Sequence, residues 1–268
     1  MLFAANDNRY LYTRPPLVEV ICQLRFPTIL SIGAKEPAEF QEAVRGEYPR
    51  YAARPEYPAP KVTGMGTANP AVQQQPPVTN YNFISQDGKW KINLTNGFIA
   101  LSTVGYSQWE DFAQRLDKVL VRFIRTYQPA YFERIGLRYV NAISRKALGM
   151  EDLLWDDLIQ SPYVGVLGEP DVDEKAVTKC SLDVEMPLED GCHLKLHAGP
   201  GMLKQGGQNA RNVQSEPRFI LDGDFSASGN LSGEQVPVKL ETMHRWAVRL
   251  FQGAITRELH DAMGPLPL

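Results

Sequence analysis

The sequence predicts an α+β protein built on one antiparallel sheet with helices on one face. Two tight-turn signals join three alternating segments between residues 81 and 104. Long apolar stripes at helical spacing cover 107–127 and 239–260. The order of elements in the first half of the chain also recurs in the second half. With 268 residues and 43% hydrophobic side chains, the chain can bury a sizeable core, which excludes collagen, a coiled coil and a wholly disordered chain.

The first half opens with a strand over 17–26, where Cys22 and Leu24 alternate with the polar Gln23. A short helix is predicted over 36–48 because its apolar residues recur four positions apart. Prolines and glutamines then dominate 49–79, which favours neither a regular hydrogen-bond ladder nor a buried face. We therefore expect residues 49–79 to form a flexible loop inside one domain.

Three strands and a long helix complete the first half. The strands are predicted over 81–86, 89–95 and 98–104, joined by Asp87-Gly88 and Asn96-Gly97. The helix is expected to begin at a Ser107 cap and to end before Pro129.

The second half repeats this order. A strand over 132–143, a short helix over 151–159 and a loop over 160–175 precede strands over 179–186, 192–197 and 218–226 and a last helix over 239–260. A Gly-rich loop over 199–214 lies between the last two strands. It lacks the Gly-Lys-Ser/Thr of a phosphate-binding loop.

An offset of 113 residues aligns the halves with several identities. It pairs Thr13 with Thr126, Pro16 with Pro129, Leu24 with Leu137, Arg25 with Arg138 and Ser31 with Ser144. The sequence thus predicts a single domain, 1–268, made of pseudo-repeats 12–127 and 128–268. Each repeat reads strand, helix, three strands, helix, and together they form one curved sheet of about eight strands.

That topology resembles the TATA-binding-protein-like fold, although no DNA-binding motif of that family is present. A helix-grip or double ferredoxin-like arrangement is the alternative.

Two segments carry a family resemblance. Tyr-Thr-Arg-Pro-Pro-Leu-Val-Glu-Val at 12–20, running into Leu24-Arg25-Phe26, and Glu-Arg-Ile-Gly-Leu-Arg-Tyr-Val-Asn at 133–141 resemble strands of a sporadically distributed family of uncharacterised bacterial and archaeal proteins. The resemblance implies an association with phage defence or mobile elements and contributes no catalytic residue.

Charge and targeting signals limit the classes of function. The 28 basic and 31 acidic residues argue against a chain that mainly grips a polyphosphate backbone. No apolar stretch reaches the roughly 18 residues of a membrane span, and no signal peptide is visible. Three cysteines without Cys-x-x-Cys spacing indicate reduced thiols. We expect a soluble, cytoplasmic protein without membrane association.

The candidate site is a polar sheet face in the second half. Alternation places charged and imidazole side chains of three strands, together with Arg138, on one side: Asp183 and Glu185; His193, Lys195 and His197; Asp222 and Asp224. Such a set could serve acid/base chemistry or bind a metal. Alternatively, it is a solvated face whose opposite charges pair across strands. His193 and His197 lie about 13 Å apart on a strand, too far to share one zinc ion.

Arg25 and Arg138 occupy matched positions of the repeat. Either they are two anion-binding guanidiniums on the open face, or each pairs with a carboxylate such as Glu19 or Asp183. No catalytic motif, cofactor-binding motif or metal-ligand spacing is present.

These patterns favour a non-catalytic binding or adaptor protein without a cofactor. Its open sheet face would contact a protein or a nucleic acid, and the protein could be an oligomer. The alternative is a divalent-metal-dependent enzyme that uses the carboxylate cluster.

Overall fold

The computed structural model describes residues 1–57, 61–63, 71–202 and 217–268, which form strands and helices in the α+β class. The strands are β1 (Tyr10–Tyr12), β2 (Leu17–Arg25), β3 (Arg50–Glu56), β4 (Lys61–Thr63), β5 (Ala71–Gln73), β6 (Val78–Ile84), β7 (Trp90–Leu94), β8 (Phe98–Thr103), β9 (Phe132–Ile143), β10 (Leu182–Pro187), β11 (Cys192–Gly201), β12 (Arg218–Leu231) and β13 (Pro265–Pro267). The helices are α1 (Leu30–Ala34), α2 (Ala38–Val44), α3 (Trp109–Tyr127), α4 (Arg145–Leu148), α5 (Trp155–Leu158), α6 (Ser161–Val164), α7 (Gln235–Ala254) and α8 (Arg257–Ala262).

Nine of the strands form one sheet in the order β10-β11-β12-β9-β2-β8-β7-β6-β3. Every neighbouring pair in it is antiparallel, which confirms the predicted antiparallel sheet. The central pair is β2 with β9, where Gln23 lies opposite Gly136. Two small sheets, β1 with β13 and β4 with β5, stand apart from it.

The tight turns lie where the sequence predicts them. The first hairpin joins β6 to β7 and the second joins β7 to β8. Asp190 and Gly191, between β10 and β11, both have positive φ (57° and 67°). Asp and Gly adopt that conformation more readily than other residues, which explains why this dipeptide turns the chain.

The prediction of a flexible loop over 49–79 is wrong for Arg50–Glu56, which form β3 and pair with β6, and for Lys61–Thr63 and Ala71–Gln73, which pair as β4 and β5. Residues 58–60 and 64–70 lie outside the described residues. Strand β3 is the ninth of the large sheet and brings it beyond the eight that we predicted. It lies at the edge, so only one side of its backbone needs a partner strand. A proline such as Pro55 is therefore tolerated there.

The two long helices pack on the same face of the sheet. The ring of Phe123 on α3 lies 4.9 Å from that of Phe26, and Phe112 lies 5.8 Å from Trp90 of β7. Helix α7 covers β9 and β12, where Gly223 leaves room for Leu250. The apolar stripes predicted from helical spacing thus cover the apolar side of the strands.

Several predicted helix bounds need correction. Helix α3 begins at Trp109, and Gln108, rather than Ser107, occupies its cap position. The helix predicted over 239–260 is divided: α7 ends at Ala254, and α8 begins after Thr256, whose hydroxyl accepts a hydrogen bond from the Leu259 N–H.

The second-half loops also differ from the prediction. Within the helix predicted over 151–159 only Trp155–Leu158 is helical, and Ser161–Val164 is helical inside the predicted loop. Residues 199–201 continue β11, whereas 203–214 of the Gly-rich loop lie outside the described residues.

The N-terminal segment, residues 1–16, runs along α7 at its start and pairs with β13 through β1 further on. The Ala4 N–H donates to the Arg249 carbonyl, and the ring of Phe3 lies 4.9 Å from that of Trp246. A Cβ added at Gly253 would come within 2.9 Å of the backbone of Leu2, Phe3 and Ala4. Glycine at this position of the helix is what permits such close contact.

The three cysteines are free thiols, of which Cys22 and Cys192 are buried. Burial raises the pKa of both thiols, so neither is an activated nucleophile. Among the described residues, no helix combines the length and the apolar character that crossing a membrane requires.

Candidate functional site: the outer face of the sheet

All nine residues that the sequence singles out lie on one side of the sheet. We call this side, opposite to α3 and α7, the outer face. The strand register sets the predicted side chains in two rows across the strands. In one row His197 lies between Asp183 and Asp222, and in the other Lys195 lies between Glu185 and Asp224, which is in turn opposite Arg138. His193 lies opposite Ser226 on the same face, and Arg25 lies on β2. These nine residues therefore lie on the side of the sheet that the alternation of side chains predicts.

The four carboxylates that the sequence singles out on the outer face each contact a basic or imidazole side chain. Arg138 donates from Nε to Asp222 Oδ1 over 2.7 Å and makes a second bond from Nη2 to Oδ2. Lys195 Nζ lies 2.6 Å from Glu185 Oε1, and His197 Nδ1 lies 2.8 Å from Asp183 Oδ1.

These contacts change the acidity of the groups involved. The hydrogen bond with His197 lowers the pKa of Asp183, and the hydrogen bond with Lys195 lowers that of Glu185. The Asp222 carboxylate raises the pKa of Arg138. These contacts favour the charged forms of Asp183, Glu185 and Arg138, so the carboxylates of Asp183 and Glu185 are ionised at neutral pH. An ionised, hydrogen-bonded carboxylate is a poor general acid.

Sequence reasoning missed Arg134, which completes this arrangement. Its Nη2 lies 2.8 Å from Asp224 Oδ2. To reach that carboxylate, the side chain lies across Gly136, where an added Cβ would be only 2.3 Å from Arg134 Nη1. The sequence signal is the Arg-x-Gly-x-Arg spacing of β9, which sets two arginines on one face with no side chain between them.

Arg25 differs from the other arginines of the outer face. It lies directly opposite Arg134, so that two like charges meet across the central strand pair. Arg134 is neutralised by Asp224, whereas Arg25 hydrogen-bonds to Gln23 Oε1, at 3.3 Å. In the part of the chain that the structure describes, no carboxylate lies within ion-pair distance of the exposed Arg25.

The first half of the outer face carries amides in place of ion pairs. Asn93 on β7 donates from Nδ2 to Asn82 Oδ1 over 2.8 Å and to Asn80 Oδ1 over 3.1 Å. Sequence alternation gave the face of Asn93 but not its partners, which depend on the pairing of β6 with β7. The contacts therefore differ along the outer face: β6 and β7 are joined by amide hydrogen bonds, whereas β9, β10, β11 and β12 are joined by ion pairs.

A pocket of about 170 Å³ lies on the opposite side of the sheet and was not predicted. It is enclosed by the N-terminal segment, the start of α3, the side of α7 and the helix-facing residues Tyr139 and Asn141 of β9. His244 of α7 stacks on Trp109 with ring centroids 4.5 Å apart and planes 8° apart. We call this the Trp109–His244 pocket.

One sequence signal for this pocket exists. His244 lies on the apolar stripe of α7, beside Met243 and Ala247, and a histidine in that position indicates a buried imidazole. The other residues that line the pocket come from segments far apart in the chain. The sequence of each segment is typical of a core strand or helix, so none of them indicates a pocket.

The fold and these sites define an α+β protein with a nine-stranded antiparallel sheet, a polar outer face and an aromatic pocket beneath the helices. No protein-family model and no curated protein sequence matches the chain.

Proposed function

We propose that this chain is a non-catalytic binding protein whose outer face contacts a protein partner that presents an acidic group. The observation that carries the proposal is Arg25, an exposed guanidinium near the centre of the sheet whose charge no described carboxylate offsets. Arginine in such a position is suited to bidentate contact with a carboxylate. The flanking ion pairs supply a polar rim around it.

A protein partner is favoured over a nucleic acid by the charges around Arg25. The second-half strands carry four carboxylates on the same face, and the side chains of Asp183 and Glu185 are 71% and 60% exposed. A phosphate backbone gains affinity from clustered, unneutralised basic side chains. Here Arg134, Arg138 and Lys195 are each paired with a carboxylate, so a polyanion gains little from the basic side chains of the second-half strands.

We also propose that the halves are pseudo-repeats in a TATA-binding-protein-like sheet. From the central pair outwards, β2-β8-β7-β6 and β9-β12-β11-β10 have the same order. Gln23 and Gly136, which are opposite one another, are 113 residues apart, the offset that aligns the halves. Arg25 and Arg138 follow two positions later in their strands. Their surroundings differ, since only Arg138 has a carboxylate partner.

The alternative, a divalent-metal-dependent enzyme, has less support. Each carboxylate that it requires is engaged by a basic or imidazole side chain, and no three potential ligands converge among the described residues. A rise in melting temperature on adding Mg²⁺ that Asp222→Ala abolishes would favour this alternative.

The binding proposal is tested by capture of partners from native cells on the full-length chain. Wild type is compared with Arg25→Glu, and Arg125→Glu is the control because Arg125 is an exposed arginine on α3, away from the outer face. We expect partners that wild type and Arg125→Glu retain and that Arg25→Glu loses. Each capture is repeated after nuclease treatment.

A photo-crosslinking residue placed at Gln23 should then form adducts with those same partners. Identical partner sets for Arg25→Glu and Arg125→Glu would contradict the proposal. Loss of every partner after nuclease treatment would indicate a nucleic acid instead.

A further inference from the structure

The Trp109–His244 pocket has the construction of a small-molecule site that is separate from the outer face. Its lining is mostly aromatic and aliphatic, with Tyr106, Trp109 and Phe251 among the rings that enclose it. An apolar cavity of about 150 Å³ in another protein holds a benzene-sized molecule. At about 170 Å³, this pocket can admit a single ring, and its open side leaves room for a second.

His244 supplies a polar group without a partner at this site. The residue is 5% exposed, and its Nδ1 lies 2.9 Å from the hydroxyl oxygen of Tyr139. Its Nε2 is buried and has no hydrogen-bond partner among the described residues. Buried polar atoms in folded proteins are nearly always paired. Because His244 lines the pocket, a ligand whose entry shifts the imidazole ring or a neighbouring side chain can satisfy this nitrogen.

The electrostatics of the pocket favour an uncharged ligand. Arg9 at the rim is neutralised by Glu110 through two bonds of 2.7 Å and 3.0 Å. Glu241 accepts a hydrogen bond from Trp109 Nε1 over 2.7 Å. Burial lowers the pKa of His244 to about 3, so the imidazole is neutral. A charged ligand would lose its hydration here without gaining an opposite charge.

We propose that the Trp109–His244 pocket binds a small uncharged heteroaromatic molecule of one or two rings, whose N–H or ring nitrogen pairs with His244 Nε2. The tautomer of His244 decides whether the ligand pairs through an N–H or through a ring nitrogen. If Tyr139 donates to Nδ1, then Nε2 carries the proton and pairs with a ring nitrogen. In the opposite tautomer Nε2 accepts from a ligand N–H.

The test uses three probes on the full-length protein: indole as an N–H donor, quinoline as a ring-nitrogen acceptor, and benzoate as a charged ring. Binding is measured by calorimetry and by the NMR shift of the Trp109 indole N–H. We expect one of the two neutral probes to bind at least about tenfold more tightly than the other, because only one can pair with His244. Benzoate should not bind.

Three variants locate the binding. Ala247→Trp fills the pocket from α7, and Val238→Trp places the same side chain on the exposed side of that helix as a control. His244→Phe keeps the ring stack and removes Nε2. We expect Val238→Trp to bind like wild type, Ala247→Trp to lose binding, and His244→Phe to lose at least about tenfold in affinity for the preferred probe.

Circular dichroism establishes that each variant is folded. If Ala247→Trp does not fold, His244→Phe decides. No binding of either neutral probe, tighter binding of benzoate, or unchanged affinity in His244→Phe would each overturn the proposal.

Discussion

Acid should destabilise this protein through His244. The imidazole stacks on Trp109, contacts the Tyr139 hydroxyl and is 5% exposed. Burial lowers its pKa to about 3 from the ordinary value of 6.5, with a further contribution from Arg9 that Glu110 opposes. The unfolded chain therefore binds a proton at His244 as the pH falls below about 6.5, while the folded chain stays neutral there until about pH 3.

The size of the effect follows from these two pKa values. Above the pKa of the unfolded state, His244 is neutral in both states and does not lower the free energy of unfolding. As the pH falls from that pKa towards the lower pKa of the folded state, the free energy of unfolding decreases. Going from about pH 7 to about pH 5, the linkage relation gives a loss of about 2 kcal/mol in the free energy of unfolding from this one group.

Urea unfolding of wild type and His244→Phe at both pH values isolates this contribution. The variant keeps a ring against Trp109 but has nothing to protonate, so its stability relative to wild type should rise by about 2 kcal/mol on acidification. Val238→Trp, on the exposed side of the same helix, adds no titratable group and should follow the wild-type pH dependence closely. Equal pH dependence in wild type and His244→Phe would refute the argument that His244 is buried in its neutral form.

Three substitutions test the packing by chemical denaturation. Phe123→Ala removes a ring from the centre of the core and should cost about 3–5 kcal/mol of unfolding free energy. Gly253→Ala should release the N-terminal segment near Ala4, seen as faster amide exchange and proteolysis there, although alanine favours a helix. Gly136→Ala should change stability by less than about 1 kcal/mol, because the flexible end of Arg134 can move and only a partly buried ion pair near the surface is lost. A large loss there would mean that the Arg134 position is fixed.

Much of the sheet could be predicted because its determinants are local. Alternation gives the face of each side chain, and the tight turns give the neighbours, so the contact of Glu185 with Lys195 follows from the Asp190-Gly191 turn alone. The contact of Arg138 with Asp222 needed one more step, the pairing of β9 with β12, which the sequence left as an assumption.

The failures have identifiable physical causes. Strand β3 was not predicted because the prolines of 49–79 suggested a loop. An edge strand pairs on one side only, so it tolerates a proline and exposed side chains that a central strand would not. The Arg134 side chain can cross to Asp224 because Gly136, two positions later, has no side chain. Alternation gives the face of a side chain but not the direction in which it lies along that face. The pocket was missed because its walls are brought together only by tertiary packing.

The sheet separates the two proposed sites, although one strand serves both. Along β9, Arg134 and Arg138 face outward, while Tyr139 and Asn141 face the helices and line the pocket. Because neighbouring side chains of a strand point to opposite faces, the two sites share backbone but no side chain. Substitutions without shared partners are usually additive. Arg25→Glu should therefore leave probe binding at His244 unchanged, and His244→Phe should leave partner capture unchanged. A cross-effect would mean that β9 transmits a change from one face to the other.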